Sequence, residues 1–452
     1  MLLAQNDIQA NVNLQFRFTN PGARAQAMGG AFIGLADDTT AIFANPAGLT
    51  QLSASTIAFE TNNQKQDNEI PFYGGSIDQV GLQDFQFNLE SREFPDDRTD
   101  VPFVGYVNAK NRLKWGVFYA SLSNFERQFD TTGVAIPSFE RDVAASAVTF
   151  FQPSDNRLEL RLRTLGISVA GKITDRLSAG ATLLYYDFEH TANTTLYFPD
   201  LEQLFPNENF PQALLDALEP LIGTATGVVD VDGDDAQIGY YAGLLYAPTD
   251  RFSLGLAWRA QPEFDYDYNI SVPDSAMVLT SVESGEGIFN VPDSFGGGIS
   301  FKPNENFILS VEVNRVIWSE LSDDYIRFFE EAADPSNATQ TARDATEYRI
   351  GAEYFILSAR FPLALRLGYW LDPYHALQNT LNDTQLLFRF VDANDDFVQA
   401  VRPAAFLQQF EQDENHITFG FGLTLSNSFV LDFAGDISET TRNITLSGVY
   451  RF

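Results

Sequence analysis

Residues 415–452 read NHITFGFGLTLSNSFVLDFAGDISETTRNITLSGVYRF, and this ending decides the fold class of the chain. In its last stretch Ile444, Leu446, Gly448, Tyr450 and Phe452 alternate with Thr445, Ser447, Val449 and Arg451. Successive side chains of a strand point to opposite faces, so a period of two separates apolar from polar residues. Such a strand suits a wall between lipid and a wet lumen, although a single soluble strand can show the same pattern.

The same alternation recurs along most of the chain, at 158–163, 177–185, 252–259, 307–314, 363–369 and 417–425. Short turns such as 248–251 and 302–306 join these stretches, which is typical of a meander of hairpins. No run approaches the roughly 18 consecutive apolar residues of a membrane helix. Only closure pairs every backbone group in lipid. We therefore predict an all-β protein, a transmembrane antiparallel β-barrel.

Composition limits the function classes. The 452 residues contain no cysteine and no dividing linker, and 40 Phe, 17 Tyr and 4 Trp are enough for aromatic girdles at both membrane interfaces. A net charge of −33 argues against nucleic acid or an anionic membrane surface as a partner. Residues 1–5 lack the basic region and apolar core of a signal peptide, which an outer-membrane protein needs, so we expect an essentially mature chain.

Residues 20–49 read NPGARAQAMGGAFIGLADDTTAIFANPAGL and form the densest motif. The many small residues permit close packing in a confined space, and Asn45-Pro46 is typical of a turn. A strand in lipid would not carry Pro21 and Pro46 beside so many glycines. We predict that this segment folds inside the barrel as a plug; a Gly-rich surface loop is the alternative. The glycine spacing does not match a dinucleotide fingerprint.

At this point the chain resembles a family. Gly22-Ala-Arg24-Ala and Asn45-Pro46-Ala47 are similar to the entry and turn of the N-terminal hatch of FadL/TodX-type outer-membrane transporters. Ordered resemblances follow at 231–235, 239–243, 291–295, 317–319, 348–354 and 365–369, and the C-terminal strand completes them. The hatch motif alone is shared with other barrels, including PorV-like secretion accessories.

The resemblance implies a monomeric barrel of about 14 strands in the bacterial outer membrane, with residues 1–50 as the hatch and 51–452 as the barrel. It implies uptake of long-chain fatty acids or other hydrophobic molecules, with lateral release into outer-membrane lipid. A lateral exit suits such ligands, because each gains roughly 25 cal/mol per Å² of apolar surface kept from water. The resemblance implies neither a cofactor nor a metal.

Residues 201–222 interrupt the strand pattern with apolar residues at helical spacing. Pro211 suits a helix start. This stripe either packs the loop onto the barrel rim or forms an exterior groove that captures the ligand, as the family's helical loop at this position implies. The candidate groove residues are Leu204, Phe205, Phe210, Leu214, Leu215, Leu218 and Leu221.

Arginines on the strand faces that we assign to the lumen are candidate ligands for a carboxylate head group, because a guanidinium binds a carboxylate through two parallel hydrogen bonds. They are Arg161, Arg259, Arg349 and Arg366, with Arg163 on the same assigned face. The alternative is a structural ladder with lumenal carboxylates. Phe16 and Phe18 are candidate pocket aromatics, although a strand tucked into the lumen would show the same alternation.

Catalytic motifs find little support. No Gly-x-Ser-x-Gly elbow occurs, and the acidic stretch 230–241 fails the EF-hand pattern at positions six and twelve. Two functions remain: a transporter of hydrophobic molecules, or a structural adaptor barrel of the PorV-like kind. We expect a transporter to have an apolar tunnel ending at a gap between strands, and an adaptor to have a sealed wall.

Overall fold

The computed structural model describes residues 20–73, 89–131, 134–138, 147–151, 153–198, 200, 212–323, 340–358, 360–375, 377–379, 387–391, 397–401 and 413–452. Numbered in chain order, the barrel strands are β1 (Thr56–Tyr73), β2 (Leu89–Asn108), β3 (Lys114–Thr131), β6 (Ser154–Lys172), β7 (Leu177–Tyr197), β8 (Ala225–Thr249), β9 (Phe252–Ala260), β12 (Ser294–Asn304), β13 (Phe307–Val316), β15 (Ala345–Ile356), β16 (Leu363–Asp372), β20 (Glu414–Ser426), β21 (Phe429–Ile437) and β22 (Thr441–Arg451). Four further pairs are β4 (Val134–Ser138) with β5 (Ala147–Phe151), β10 (Glu263–Pro273) with β11 (Leu279–Asn290), β14 (Gln340–Ala342) with β17 (Leu377–Asn379), and β18 (Leu387–Val391) with β19 (Phe397–Val401).

The 14 barrel strands close into one antiparallel cylinder, as predicted. Each strand pairs with its sequence neighbour among them, the first strand β1 pairs with the last strand β22, and β8 pairs with β9. The first half of β8 pairs with β10, whereas its second half pairs with β9. The hairpin β10–β11 therefore extends the sheet next to the first half of β8. Closure leaves no strand edge facing lipid in the paired region, which is the condition for a sheet in a bilayer.

The predicted period of two appears in the burial of successive residues, most regularly in β6, β16 and β20. Large apolar side chains point outward from every part of the cylinder and form an apolar belt. Its members include Ile57, Phe59, Trp115, Val117, Leu165, Ile167, Leu183, Tyr240, Leu256, Trp258, Phe295, Val313, Ile350, Leu367, Phe419 and Leu446. Exposed residues of this kind face acyl chains in a bilayer.

The polarity of the wall inverts along β6. Near the short turn to β7 its outward residues are apolar, with Leu165 and Ile167 59% and 58% exposed. Nearer the long loop before β6, the inward residues Leu158, Leu160 and Leu162 are the apolar ones. The assignment of Arg161 and Arg163 to the lumen is therefore wrong. Their side chains lie outside and pair with Glu159 and Glu189, because this part of the outer face lies beyond the apolar belt.

The helices are short. In the N-terminal segment they are α1 (Ala23–Ala27), α2 (Ala41–Ala44) and the 3-10 turn Pro46–Gln51. Between β7 and β8 lie α3 (Gln212–Leu218) and a 3-10 turn (Glu219–Leu221), and α4 (Ser319–Asp323) follows β13. No helix in the described ranges has the length and apolarity needed to cross a membrane.

Candidate functional site

Residues 20–52 are almost wholly buried and contact the inner face of the wall on several sides. Helix α1 contacts β16, β20, β21 and β22, whereas the 3-10 turn contacts β3, β6, β7 and β8. Wall carboxylates hold backbone N–H groups of the segment: Glu312 accepts hydrogen bonds from Phe32 and Ile33 at 2.8 and 2.7 Å, and Glu60 accepts one from Gly22. These charge-assisted bonds fasten the segment to the wall.

Arg24 of α1 is the centre of an ion-pair network. Its guanidinium donates to Glu353 of β15 at 2.7 Å and to Asp37 at 2.6 Å. Glu353 also accepts from Arg366 of β16 at 2.7 Å, so one wall carboxylate joins two arginines. Burial raises the pKa of Asp37, but the attraction of Arg24 and Lys302 outweighs burial and places that pKa below its usual value. The network thus binds the charged side chains of the N-terminal segment to the carboxylates of the barrel wall.

The turn at Asn45-Pro46-Ala47 touches the wall without a gap. Asn45 donates from its amide to the carbonyl oxygens of Ile33 and Leu244 at 2.9 and 3.0 Å, and its side-chain oxygen accepts from Ala47. Gly243 of β8 and Gly180 of β7 lie directly against this turn, where the methyl group of an alanine would overlap Asn45 and Pro46 respectively. The predicted entry residues also take structural positions, since Gly22 has φ of 100°, a value that favours glycine.

The wall itself is incomplete between β2 and β3. Their backbones pair only from Phe103–Ala120 to Asn108–Trp115, six residues on each strand. Beyond Phe103–Ala120, β2 stays paired with β1 and β3 stays paired with β6, so the two strands separate from one another. We call this stretch, residues 98–102 opposite 121–126, the seam. Six pairs span about 20 Å at 3.3 Å per residue. The seam therefore starts at the outer end of the apolar belt, where Ser121 lies opposite Arg163 of β6.

Local chemistry explains the end of the ladder. Pro102 directly precedes Phe103, the last residue of β2 that pairs with β3, and it has no N–H to donate. Register shifts occur at the same level, between Ser121 and Ser123 in the β3–β6 pairing and between Glu60 and Asn62 in the β1–β2 pairing. Side chains then replace the backbone: Asn124 donates to Asp100 at 2.7 Å, and Arg98 donates to the carbonyl of Asn124.

A cavity inside the barrel reaches the seam, and we call it the lumenal chamber. The N-terminal segment contributes Pro21, Gln26 and Phe43 to its lining, and β16 and β21 contribute Trp370 and Asp436. The remaining lining comes from Glu60, Asn62, Gln64, Gln66, Arg98, Asp100, Pro102, Ala120, Ser121, Leu122, Ser123, Asn124, Phe125, Thr441 and Asn443. The backbone ladder is interrupted beside this chamber, and most of the lining side chains are polar, unlike the apolar tunnel that we expect of a transporter.

The part of the lumen beside β6 and β7 is filled. Phe188 of β7 stacks on Phe264 of β10 at 4.5 Å between ring centroids and lies 5.2 Å from Phe289 of β11. All three rings are at most 1% exposed, and the inward leucines of β6 belong to the same hydrophobic cluster. This side of the upper lumen is a packed core, so space for a ligand lies on the chamber side.

A polar cluster closes the rim above Trp370. His416 stacks on Trp370 at 3.8 Å and pairs through Nδ1 with Asp436 at 2.8 Å. Possible ligand atoms of His416, Glu414 and Asp372 lie within 4.8 Å of one another. Glu414 also accepts hydrogen bonds from Ser438 and Thr440. These contacts join the start of β20 to the end of β21 and to the β21–β22 turn. We assign no metal to this cluster.

The predicted arginines have separate fates. Arg259, Arg349 and Arg366 do point inward and are 6%, 4% and 7% exposed. Arg259 donates to Asn20, Arg349 pairs with Glu347, and Arg366 pairs with Asp432. Each thus has a partner from the wall or the N-terminal segment, which favours the structural ladder over a head-group site. Phe16 and Phe18 lie outside the described residues.

The groove residues are only partly visible. Leu204, Phe205 and Phe210 lie outside the described residues, whereas Leu214, Leu215 and Leu218 fall on α3 and Leu221 on the following 3-10 turn. A helix beginning after Pro211 is confirmed. Whether the stripe forms a groove stays a prediction. Sequence reasoning missed the amides of β1 and the seam at Pro102; the run Asn62-Asn63-Gln64-Lys65-Gln66 was a visible signal, since polar residues occupy both faces there.

The chain belongs to the outer-membrane transport family described as Outer membrane protein transport protein (OMPP1/FadL/TodX), whose model matches residues 9–385. It is a bacterial outer-membrane β-barrel of a family of transport channels. The comparison with curated proteins gives no match at the level of sequence.

Solved structures share the fold at low identity. The monoaromatic hydrocarbon channel CymD is 16% identical with a TM-score of 0.55, covering 97% of this chain and 99% of that one. The Ralstonia pickettii toluene transporter TbuX is 16% identical with a TM-score of 0.55, covering 96% and 99%. A Pseudomonas aeruginosa FadL homologue is 14% identical with a TM-score of 0.58, covering 97% and 99%.

Proposed function

We propose that the protein takes up hydrophobic small molecules from outside the cell and releases them sideways through the seam into the outer membrane. The observation that carries the proposal is the short β2–β3 ladder beside the lumenal chamber. An opening in the wall at the edge of the apolar belt lets an apolar ligand pass into lipid with little exposure of its surface to water. The family match and the hydrocarbon transporters among the structural neighbours support this substrate class.

The N-terminal segment acts in this proposal as a hatch that closes the bore, with residues 1–50 as hatch and 51–452 as barrel. Support comes from its burial and from the carboxylates Glu60, Glu312 and Glu353 that hold it. Displacing the hatch would break these charge-assisted hydrogen bonds and leave the buried wall carboxylates without their partners, which is unfavourable. A fixed hatch directs the ligand to the seam. The chain works as a monomer, because the described route lies within one barrel.

The adaptor alternative requires a sealed wall, and the seam argues against it. We therefore advance no second function. Long-chain fatty acids and hydrocarbons both remain within the proposed class, and the chamber lining bears on the choice between them.

The test is to lock the seam. Asp100→Cys with Asn124→Cys places two thiols across it in a chain without native cysteine. A short bis-methanethiosulfonate reagent joins them, and a reductant reverses the bridge. We expect uptake of a labelled hydrophobic compound by cells carrying the cross-linked protein to fall at least fivefold and to recover on reduction.

The matched control is Asn193→Cys with Asp230→Cys, whose native side chains are 2.6 Å apart on the fully paired strands β7 and β8. Cross-linking this pair should leave uptake unchanged. Full uptake through a barrel locked at the seam would refute lateral release.

A further inference from the structure

The lumenal chamber carries a ladder of amide side chains on two neighbouring strands. Asn62, Gln64 and Gln66 project from β1, and Asn443 projects from β22 directly opposite Gln64 in the register. Thr441 lies opposite Gln66 and completes the patch. We call Asn62, Gln64, Gln66 and Asn443 the amide ladder. Buried amides on a barrel wall usually bond to one another or to the backbone, so their partners are informative.

The side chains of the amide ladder keep hydrogen-bonding capacity that the described protein groups do not satisfy. Asn62, Gln64 and Gln66 form no side-chain hydrogen bond with any residue in the described ranges. The side-chain oxygen of Asn443 is buried and has no hydrogen-bond partner within the same part of the chain. Gln26, by contrast, is satisfied by Glu60 and Thr445. A buried acceptor that no protein group satisfies is costly to leave unpaired, so this oxygen is available to bond to a guest in the chamber.

The charges around the amide ladder select against anions. Glu60, Asp100 and Asp436 line the same chamber, and among its described residues Arg98 is the single cation. Arg98 already contacts the carbonyl of Asn124 and lies 3.9 Å from Glu126. A carboxylate ligand would therefore meet the carboxylates of Asp100 and Asp436 and a guanidinium that already has partners. The unfavourable Coulomb energy is larger here than in water, because the chamber is partly shielded from solvent.

We propose that the amide ladder binds an uncharged hydrogen-bonding group, a hydroxyl or carbonyl, of an otherwise apolar ligand. The transported class is then the neutral amphiphile with a long apolar tail, in preference to a fatty-acid anion or a plain hydrocarbon. An amide both donates and accepts, which matches a hydroxyl in either role. The head group stays on the amide ladder while the tail reaches the seam through Pro102, Leu122 and Phe125, which line the chamber beside it. This inference rests on the proposed function.

The test compares three twelve-carbon probes at pH 8: dodecan-1-ol, dodecanoate and dodecane. Uptake by cells expressing the protein is measured against cells with an empty vector, probe by probe, to remove differences in partitioning. We expect protein-dependent uptake of the alcohol to exceed that of each of the other two by about threefold to tenfold, the range that one neutral hydrogen bond provides.

The variant Gln64→Leu with Asn443→Leu removes the central pair of the amide ladder. It should reduce alcohol uptake by about the same factor and leave dodecane uptake unchanged or higher. The control is Asn63→Leu, which removes an amide from the same strand, where its side chain bonds to Asp97 and Thr99 away from the chamber. That control should keep the preference for the alcohol.

Preferential uptake of dodecanoate or dodecane, or an unchanged alcohol preference in the double variant, would overturn the ligand class while leaving seam transport intact. No protein-dependent uptake of any probe would overturn both this inference and the proposed function. Correct assembly of each variant is checked by its heat-modifiable migration in detergent gels.

Discussion

Single residues of the N-terminal segment decide how firmly the barrel wall holds it. Arg24 bonds to Glu353 of the wall and to Asp37 of its own segment, so it links an acidic residue of the wall to one of the N-terminal segment. Asp37 also accepts from Lys302 of β12 at 3.3 Å. Such a network contributes more than an exposed pair, because its members are mostly shielded from water and already ordered by their neighbours.

Replacing Asp37 by Asn should weaken the attachment of the N-terminal segment to the wall, and this loss of stability should depend on pH. The lowered pKa of Asp37 means that its contribution is present above the unfolded value near 3.9 and is lost as the pH falls through the lower folded value. We expect a cost of about 1–3 kcal/mol at pH 7, seen as a lower temperature of heat modification. Asp250→Asn in the exposed β8–β9 turn is the control; a difference between wild type and Asp37→Asn that does not shrink as the pH falls below the unfolded value near 3.9 would contradict the assignment.

At the level of elements, α3 is the part of the loop between β7 and β8 whose helical character the sequence predicted. Leu214 and Leu218 are four residues apart in this helix, the spacing that is typical of one helix face. Leu218 is half-buried and Ile222 is 40% exposed, so the end of the loop keeps apolar surface accessible. Such surface at the cell exterior suits first contact with a greasy ligand.

Changing Leu214 and Leu218 to Ser should slow ligand capture. We expect uptake at low ligand concentration to fall about threefold to tenfold, because two apolar contacts are lost, while uptake at saturation changes little. Ala213→Ser with Ala217→Ser on the same helix is the control. Unchanged uptake at low concentration in the leucine variant, with normal heat modification, would assign the stripe to packing alone.

For the whole molecule, the belt on the outer face defines how the barrel sits in lipid. On β6 it ends at Leu165, and the next outward residue, Arg163, pairs with Glu189. The same change occurs on β8, where outward Tyr240 and Ile238 are exposed apolar residues and Asp234 beyond them is exposed and acidic. The strands therefore continue past the bilayer, and there the apolar side of the wall is the inner one.

A charge placed in the belt should destabilise the barrel more than the loss of a charge beyond it. Ile167→Arg is expected to cost about 2–4 kcal/mol, the value for a cation near the middle of a bilayer. Arg157→Leu, outward and above the belt, is expected to change stability by less than about 1 kcal/mol. Urea unfolding in vesicles measures both, and equal costs would contradict the placement of the membrane.

How far the sequence predicts this molecule follows from which signals are local. Period-two alternation is local, so it predicts the barrel, its closure and the outward belt at 417–425 and 441–451. The direction of Arg161 and Arg163 is not local, because it depends on whether that level of the strand faces lipid or water. The hatch motif was visible at 20–49, but its partners Glu60, Glu312 and Glu353 were not, since spatial contact across the barrel leaves no trace in one sequence.

The seam shows the same limit. Pro102 marks a place where pairing is weakened, yet a proline at a strand edge is compatible with an intact wall. Only the register shows that β2 and β3 each remain joined to their outer neighbours while parting from one another. The inward direction of the polar run on β1 likewise depended on the register.

The extra residue at Leu122 has a geometric consequence for the strand that borders the seam. Before Leu122 the even-numbered residues Phe118 and Ala120 face the lumen. After it the odd-numbered residues Ser123, Phe125 and Arg127 face the lumen, so the inner face of the strand stays the same across the irregularity. Removing that one residue would exchange the two faces of the upper half of β3. Phe125 would then meet the surroundings, and Glu126 would turn into the bore. The irregularity thus lets both halves of this strand keep the same inner and outer faces where the β2–β3 pairing ends.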